Sequence, residues 1–241
     1  MPECKDIYYK GRCSIGGKEY TFSKAELSDA AGISRIYEQT RIDGSNYRTR
    51  LAEDSPDRFE VRGGMFIVMD EREIGEKIVS DDSFWALFKD EDGDIAGSFW
   101  FCERNGYYDG LEYAHIDDCI YPREVVVPLD HGGGCIAQAL YLTCSRALLQ
   151  AGYLRGAADL YRVVRYETAE GTYTTHQTNI PSQRAVEAVG AVFAEPLPLR
   201  TLCLDGLTVT IEPQMYLFDY ARIADTCEQL LSEKDIRIIR G

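Results

Sequence analysis

Between residues 7 and 25 apolar and polar positions alternate on both sides of Gly16-Gly17, which predicts two short strands joined by a turn, the second over Lys18-Glu19-Tyr20-Thr21-Phe22. The period then changes. Ala30, Ile33, Ile36 and Tyr37 share one face of a helix that Ser28 or Asp29 can cap and that runs to about Thr40. A second helical stretch is predicted over 46–54, broken by Pro56 and Gly63-Gly64, and a short helix over 70–79. Ser83–Phe88 and Ile95–Phe101 flank the acidic turn Glu91-Asp92-Gly93-Asp94 and read as a β-hairpin. A strand ends at Val127, and a helix follows from about 134 to 150 and stops near Gly152. Residues 154–170 fit neither period. Gly171 to Thr178 reads as a strand, 181–189 as a short helix, 199–204 and 207–219 as strands about a turn at Asp205-Gly206, and the chain from about 221 as a C-terminal helix.

This order predicts an α+β fold, a mixed central sheet flanked by helices, with one βαβ unit at 123–178 whose crossover is right-handed. In such units ligands bind where strand ends meet a helix N-terminus. Internal repeats, low-complexity tracts and Pro/Ser-rich linkers are absent from the sequence, so one domain is the economical reading.

Composition narrows the function classes. A hydrophobic content of 45% supports a sizeable core and excludes a disordered chain. No apolar run approaches the roughly 20 residues of a membrane span, and the polar start Met1-Pro2-Glu3-Cys4-Lys5-Asp6 lacks a signal-peptide core. The expectation is a cytoplasmic protein without a membrane partner. Eight cysteines without CxxC spacing read as reduced thiols, and three histidines (115, 131 and 176) do not cluster as ligands, so no metal is expected. A net charge of −14 argues against a nucleic-acid partner. It serves solubility first, and it also favours a cationic small molecule over an anionic one.

Two segments carry the candidate chemistry. The first runs Val125-Val126-Val127-Pro128-Leu129-Asp130-His131-Gly132-Gly133-Gly134-Cys135-Ile136-Ala137-Gln138-Ala139-Leu140, a β-branched run, a glycine-rich turn and an apolar helix. The second runs Thr178-Asn179-Ile180-Pro181-Ser182-Gln183-Arg184-Ala185-Val186-Glu187-Ala188-Val189-Gly190-Ala191. A strand, a glycine turn and a helix N-terminus together converge backbone N–H groups on an anion, most often a phosphate.

With the element order, these segments resemble the GNAT superfamily of acyl-CoA-dependent N-acyltransferases over roughly residues 18–219. The flanks, 1–17 and 220–241, are read as an N-terminal extension and a C-terminal helical extension. Phe22 to Ala31 resembles the family's first strand and helix, Phe84 to Phe101 its second and third strands, and Val127 to Leu140 its coenzyme motif. Asn179, Ser182 and Gly190-Ala191 resemble its second motif. The chain departs from the pattern in several places. Aligned on Ile136-Ala137, Gly132 stands where Gln or Arg is usual and Cys135 where Gly is usual. His131 is the nearest basic replacement. The frequent tyrosine four residues after Ser182 is Val186, and the segment between Gly152 and Gly171 is longer than usual.

The resemblance implies acetyl-CoA as co-substrate and a primary amine as acceptor. Gly132, Gly133 and Gly134 allow close backbone approach to a pyrophosphate, with the N–H groups of 133–137, and so Cys135, Ile136 and Ala137, facing it. Pantetheine would bind as an extra strand between Val125–Val127 and Thr172–Thr178, with Asn179 beside it and Ser182 near the thiol end. Asn179 and Ser182 equally fit simple helix capping. The base is sought at the end of the central strand, among Glu124, Asp118, Asp117 and His115. Glu124 stands first, on the same strand face as Val126, with Val125 and Val127 on the other. His176 is the second base candidate, and Tyr173 or Tyr216 the candidate acid. The ordinary alternatives are a solvated strand-end carboxylate for Glu124 and a hydrogen-bonded interior residue for His176. Substrate contacts are expected from 40–66, the 103–122 loop and 154–170, and a homodimer is compatible with the sequence.

Three other readings compete. His131-Gly132-Gly133-Gly134 resembles a lipase oxyanion loop, but no GxSxG elbow follows. Cys135 at a helix N-terminus, four residues after His131, has the ingredients of a thiol nucleophile, against the simpler reading as a buried small residue. A non-catalytic acyl-CoA-binding or interaction module would share the fold without the chemistry.

Overall fold

The computed structural model describes residues 3–47, 58–59, 64–103, 119–131 and 135–239, with only the backbone described at 58, 59, 129 and 176. The first hairpin joins β1 (Lys10–Ile15) to β2 (Lys18–Lys24) through Gly16 and Gly17, both at positive φ (57° and 82°), the geometry a two-residue hairpin turn requires. Helix α1 (Ala30–Thr40) starts after Asp29 and turns Ile33, Ile36 and Tyr37 inward. Strand β3 (Arg58–Phe59) is short. Helix α2 (Glu71–Ile78) opens on a capping box in which Asp70 accepts from the Glu73 N–H and Glu73 accepts from the Asp70 N–H. The second hairpin is β4 (Ser83–Lys89) and β5 (Ile95–Cys102). Strand β6 (Cys119–Val126) leads to α3 (Ile136–Ala151), β7 (Arg155–Thr168), β8 (Gly171–Asn179) and α4 (Ile180–Ala188). The chain finishes with β9 (Val192–Pro196), β10 (Arg200–Leu204), β11 (Leu207–Asp219), α5 (Tyr220–Glu233) and β12 (Ile236–Ile239).

Among the described residues the strands join in one mixed sheet with the order β10-β11-β7-β6-β5-β4-β2-β1-β12. Along this path β6 and β7 are the one parallel pair, and their ladder is two pairs long: Cys119 opposite Arg155 and Ile120 opposite Gly156. Beyond Ile120 and Gly156 the two strands part, while β6 stays paired to β5 as far as Val126 and β7 stays paired to β11 along its length. The sheet is therefore split at its centre and continuous on both sides of the split.

Helices cover both faces. On one, α3 and α5 pack on Phe84, Phe99, Phe101, Ile120 and Phe218. On the other, α1 and α2 pack Ile33, Ile36, Tyr37 and Ile74 against Trp85, Trp100, Tyr121 and Met215. A third cluster packs Ile42, Tyr47 and Phe66 against Val163 of β7 and Leu207, Val209 and Ile211 of β11.

Pro122 shapes the central strand. It has no N–H to give a ladder, so strands tolerate it at bulges and edges. The β5–β6 register slips here, with Trp100 opposite Glu124 but Phe101 opposite Pro122, so Arg123 is the inserted residue of a bulge. The insertion inverts the alternation. Cys119 and Tyr121 point to the α1 side, and past the bulge it is Glu124 and Val126 that do so; Ile120, Val125 and Val127 face α3. The expected pairing of faces at 124–127 holds for this reason.

Three expectations are corrected. The βαβ unit is β6-α3-β7 rather than 123–178, and the parallel partner of the Val125–Val127 strand is β7; the Thr172–Thr178 strand is β8, antiparallel to β7 and one strand further out. Residues 154–170, unassigned from sequence, are thus mostly the strand that matters most. Its first half, Gly156-Ala157-Ala158, is buried and built of residues that strands do not favour. The C-terminal helix expected from about 221 is present as α5, and only its end departs from expectation: after Glu233 the chain returns to the sheet as β12 along β1. The helix predicted over 46–54 lies, apart from Asn46 and Tyr47, outside the described residues.

Gly156 marks the fork. A Cβ there would lie 2.9 Å from Tyr220 Cζ and 3.0 Å from the Ile120 carbonyl, with the Tyr220 hydroxyl closer still. Tyr220 is fully buried, with no room to yield. Gly156→Ala is expected to lower stability by about 1–3 kcal/mol, as overpacked cores do. Urea unfolding of wild type and variant measures it, and an unchanged midpoint would show that Tyr220 moves freely.

Candidate active site

The split opens a cleft of about 440 Å³ through the sheet. Its size is within the range of about 300–1,000 Å³ typical of small-molecule sites. Val125 and Val127 from β6, Ala158 to Tyr161 from β7, Asn179, Pro181 and Ser182 at the start of α4, and Ile136, Ala137 and Gln138 at the start of α3 all line it. Met65, Phe66 and Ile67 close one end. Among the described residues no β6–β7 pair follows Ile120 and Gly156, so past the fork the two strands are not laddered to each other. An extended chain of amides fits such a gap as an added strand.

The α3 end of the cleft suits an anion. Cys135, the residue before the helix, is held at φ 59° in the left-handed region, unusual for a side-chain-bearing residue, and its thiol makes no capping bond. The N–H groups of the first turn have no intrahelical acceptor by position, since the ladder begins with Ala139 donating to the Cys135 carbonyl at 2.9 Å. The Gln138 Oε1 is shielded from solvent without a hydrogen-bond partner. A helix N-terminus without a side-chain cap from Cys135 and a left-handed residue before it fit a bound diphosphate, while the Gln138 oxygen, an acceptor, would take an N–H from a neighbouring amide. His131 lines the same end, with its Nε2 3.7 Å from Asp90 Oδ2. Gly132, Gly133 and Gly134 lie outside the described residues.

Asn179 caps α4: its Oδ1 accepts from the Ser182 N–H at 3.2 Å. The capping role and the place in the cleft therefore coincide, and only the amide N–H groups of Asn179 remain for a ligand.

Glu124 lies on the opposite side of the seam from the helix termini, in the wall below α1. The Tyr37 hydroxyl donates to its Oε2 at 2.6 Å. Burial raises the Glu124 carboxyl above its usual range; the Tyr37 hydrogen bond and the charges of Arg123 and Lys77 oppose the shift, and Asp159 adds to it. Burial and the adjoining carboxylate push the Tyr37 phenol well up, so it acts as a neutral donor. A carboxylate with a raised affinity for protons, facing a cleft, has the properties of a general base.

The structure thus brings Glu124, Val125, Val127, His131, Cys135, Ile136, Ala137, Asn179 and Ser182 to one cleft. His176 sits in β8, three residues before Asn179, with its side chain outside what is described. His115, Asp117 and Asp118 lie outside the described residues. The two tyrosines proposed as acids are elsewhere: Tyr173 is exposed and stacked on Tyr166 at 4.9 Å, and the Tyr216 hydroxyl donates to Glu187 at 3.2 Å. Gln138, Asp159, Tyr161 and Arg184 also line the cleft and were not singled out from the sequence. Gln138 and Arg184 stood inside the two recognised motifs; Asp159 and Tyr161 fell within 154–170, expected to contact substrate but without a readable period.

No protein-family model and no curated protein matches the sequence. Solved structures do match the fold. Mycobacterium smegmatis RimJ in complex with CoA-disulfide is similar over the whole of both chains, with 15% identity and a TM-score of 0.61. The GNAT domain of S. lividans PAT matches 87% of this chain and 96% of its own at 15% identity and a TM-score of 0.54. Mutant forms of the Vibrio cholerae spermidine/spermine N-acetyltransferase SpeG match 86% of this chain and 96% of theirs at 10% identity and a TM-score of 0.52. At these identities the likeness is one of architecture. The chain is built on the GNAT acetyltransferase fold.

Proposed function

We propose that this chain is an acetyl-CoA-dependent N-acetyltransferase that acts on a primary amine of a small molecule. The observation that carries the reading is the seam itself: two parallel strands that stop pairing after two residues, with a helix N-terminus on one side of the gap and a proton-accepting carboxylate on the other. The coenzyme-bound RimJ structure, similar over the whole chain, supports it.

In this reading the pantetheine arm of acetyl-CoA enters from the α3 and α4 side and bonds to the unladdered edges of β6 and β7. Its diphosphate meets the first turn of α3. The thioester then lies beside Val125, where backbone N–H groups can polarise its carbonyl. The amine approaches from the α1 side, where Glu124 takes its proton, directly or through water. The neutral nitrogen attacks the thioester carbon, the C–S bond breaks, and the nitrogen's second proton passes to the departing thiolate, so coenzyme A leaves as the thiol. No covalent enzyme intermediate is needed, since the acceptor and the thioester meet across one gap. His176 stands as the second candidate base.

Two results are expected from a thiol-release assay over an amine panel. Glu124→Gln should lower kcat by about 10²–10⁴-fold, the usual contribution of a positioned base. Because the base must be ionised, wild-type activity should climb with pH through the raised Glu124 pKa, and the amide should abolish that limb. An unaltered pH profile removes Glu124 as base, and coenzyme binding without turnover of any amine leaves a non-catalytic acyl-CoA-binding module.

Tyr37→Phe removes a hydrogen bond that favours the ionised carboxylate, so the limb should move to higher pH while Glu124 remains the base. A shift to lower pH, or none, would contradict the Tyr37–Glu124 coupling.

A further inference from the structure

The acceptor side of the cleft holds a second carboxylate. Asp159 lies three residues past Gly156 on β7, and Glu124 lies four past Ile120 on β6, the additional residue being the Arg123 bulge. Counted from the last parallel pair, the two are level across the seam, about 10 Å beyond the fork at strand rise. They also share a face. Ala157, two residues before Asp159, and Met215, its partner on β11, belong to the α1-side core, as do Tyr37 and Val126 around Glu124. Both line the cleft, and the Asp159 charge is felt at Glu124.

The surroundings differ on the two sides. The cations that favour ionised Glu124 are drawn toward β5 and α2, with Lys77 at 4.4 Å and Arg123 at 5.7 Å from the Trp100 ring centre. Asp159 is on the β7 side, next to an aromatic wall in which Phe66 and Tyr161 stack at 6.3 Å and 21°. Flat rings beside a carboxylate accommodate methylenes and a cation together.

Two carboxylates acting on one nitrogen would work against the reaction. An ammonium held between them keeps its proton more tightly, whereas attack needs the neutral amine. The two groups are better matched to two nitrogens, one that reacts and one that stays charged. We propose that Asp159 is a specificity-determining residue that holds the second, non-reacting ammonium of a diamine-type acceptor while Glu124 serves the reacting one. This rests on the acetyltransferase reading of the cleft and deepens it by naming the acceptor class. The step balances as before: the reacting nitrogen gives its proton to Glu124 and gains the acetyl group, and the ammonium at Asp159 is unchanged.

Putrescine and n-butylamine, equal in carbon chain but differing by the second nitrogen, test it with acetyl-CoA and the purified full chain. Wild type should show kcat/KM for putrescine at least about tenfold above butylamine, the effect of one ion pair of about 1.4 kcal/mol. Asp159→Asn should collapse that ratio toward one, chiefly through KM for putrescine, and Asp159→Glu should retain part of it. A wild type that treats the two amines alike, or an Asp159→Asn enzyme that keeps the preference, overturns the assignment. If neither amine is acetylated, calorimetry separates the two ideas. Putrescine binding that exceeds butylamine binding and weakens in Asp159→Asn sustains the diamine site while the acetyltransferase reading falls; equal or absent binding of both amines overturns the site. Wild-type discrimination alone decides the matter should the amide variant fail to fold.

Discussion

The structure depends on a parallel ladder that stops. Two strands at the centre of a sheet normally satisfy each other's backbone groups, and a buried group left unpaired costs about 1–3 kcal/mol. Here β6 and β7 exchange two residue pairs and separate. A seam that does not close its ladder leaves room for water or a ligand, and a cleft of about 440 Å³ stands there. The split is held open from both sides. β7 is pinned to β11 from Arg155 to Glu167, and β6 is pinned to β5 while Pro122 and the Arg123 bulge bend it. At the fork, Gly156 lets Tyr220 sit against the strand where any side chain would displace it.

The seam also divides the chemistry. On the α3 and α4 side it meets helix N-termini and the apolar Val125, Val127 and Leu160. On the α1 side it meets Glu124, Asp159 and aromatic rings. One residue sets this division. Without the Arg123 insertion, alternation from Ile120 would send Glu124 into the α3 side, away from Tyr37 and from the level of Asp159. The net charge of −14 has the same sign as the acceptor side of this division, so the long-range field and the local groups both favour a cation.

Much of this could be read from the residues, for physical reasons that differ by element. Gly16-Gly17 and the acidic Gly93 turn demand positive φ and mark hairpins whatever surrounds them. Asp70 with Glu73 announces a helix start, and Gly152 a helix stop, because capping bonds are local. The helix starts that line the cleft were legible for the same reason, through Cys135-Ile136-Ala137 and Asn179-Ile180-Pro181-Ser182. The partner strand was not. Arg155-Gly156-Ala157-Ala158 carries no strand propensity, and its conformation is imposed by Tyr220, Ile120 and β11, all distant in sequence. With β7 unread, Asp159 and Tyr161 were covered only by the general expectation that 154–170 contacts substrate, and the neighbouring β8 took the place of the partner strand. The final strand β12 escaped likewise, since its pairing with β1 spans nearly the whole chain.

The claim that the open seam is the coenzyme site is tested most directly by amide hydrogen exchange with and without coenzyme A. Exchange should slow at the seam-facing amides within residues 123–127 and 157–160 when coenzyme A is added, because pantetheine amides would bond there, whereas the alternate amides are already held by β5 and β11. If coenzyme A leaves those amides unchanged, or if they are already protected in its absence as a closed ladder would be, the account is contradicted.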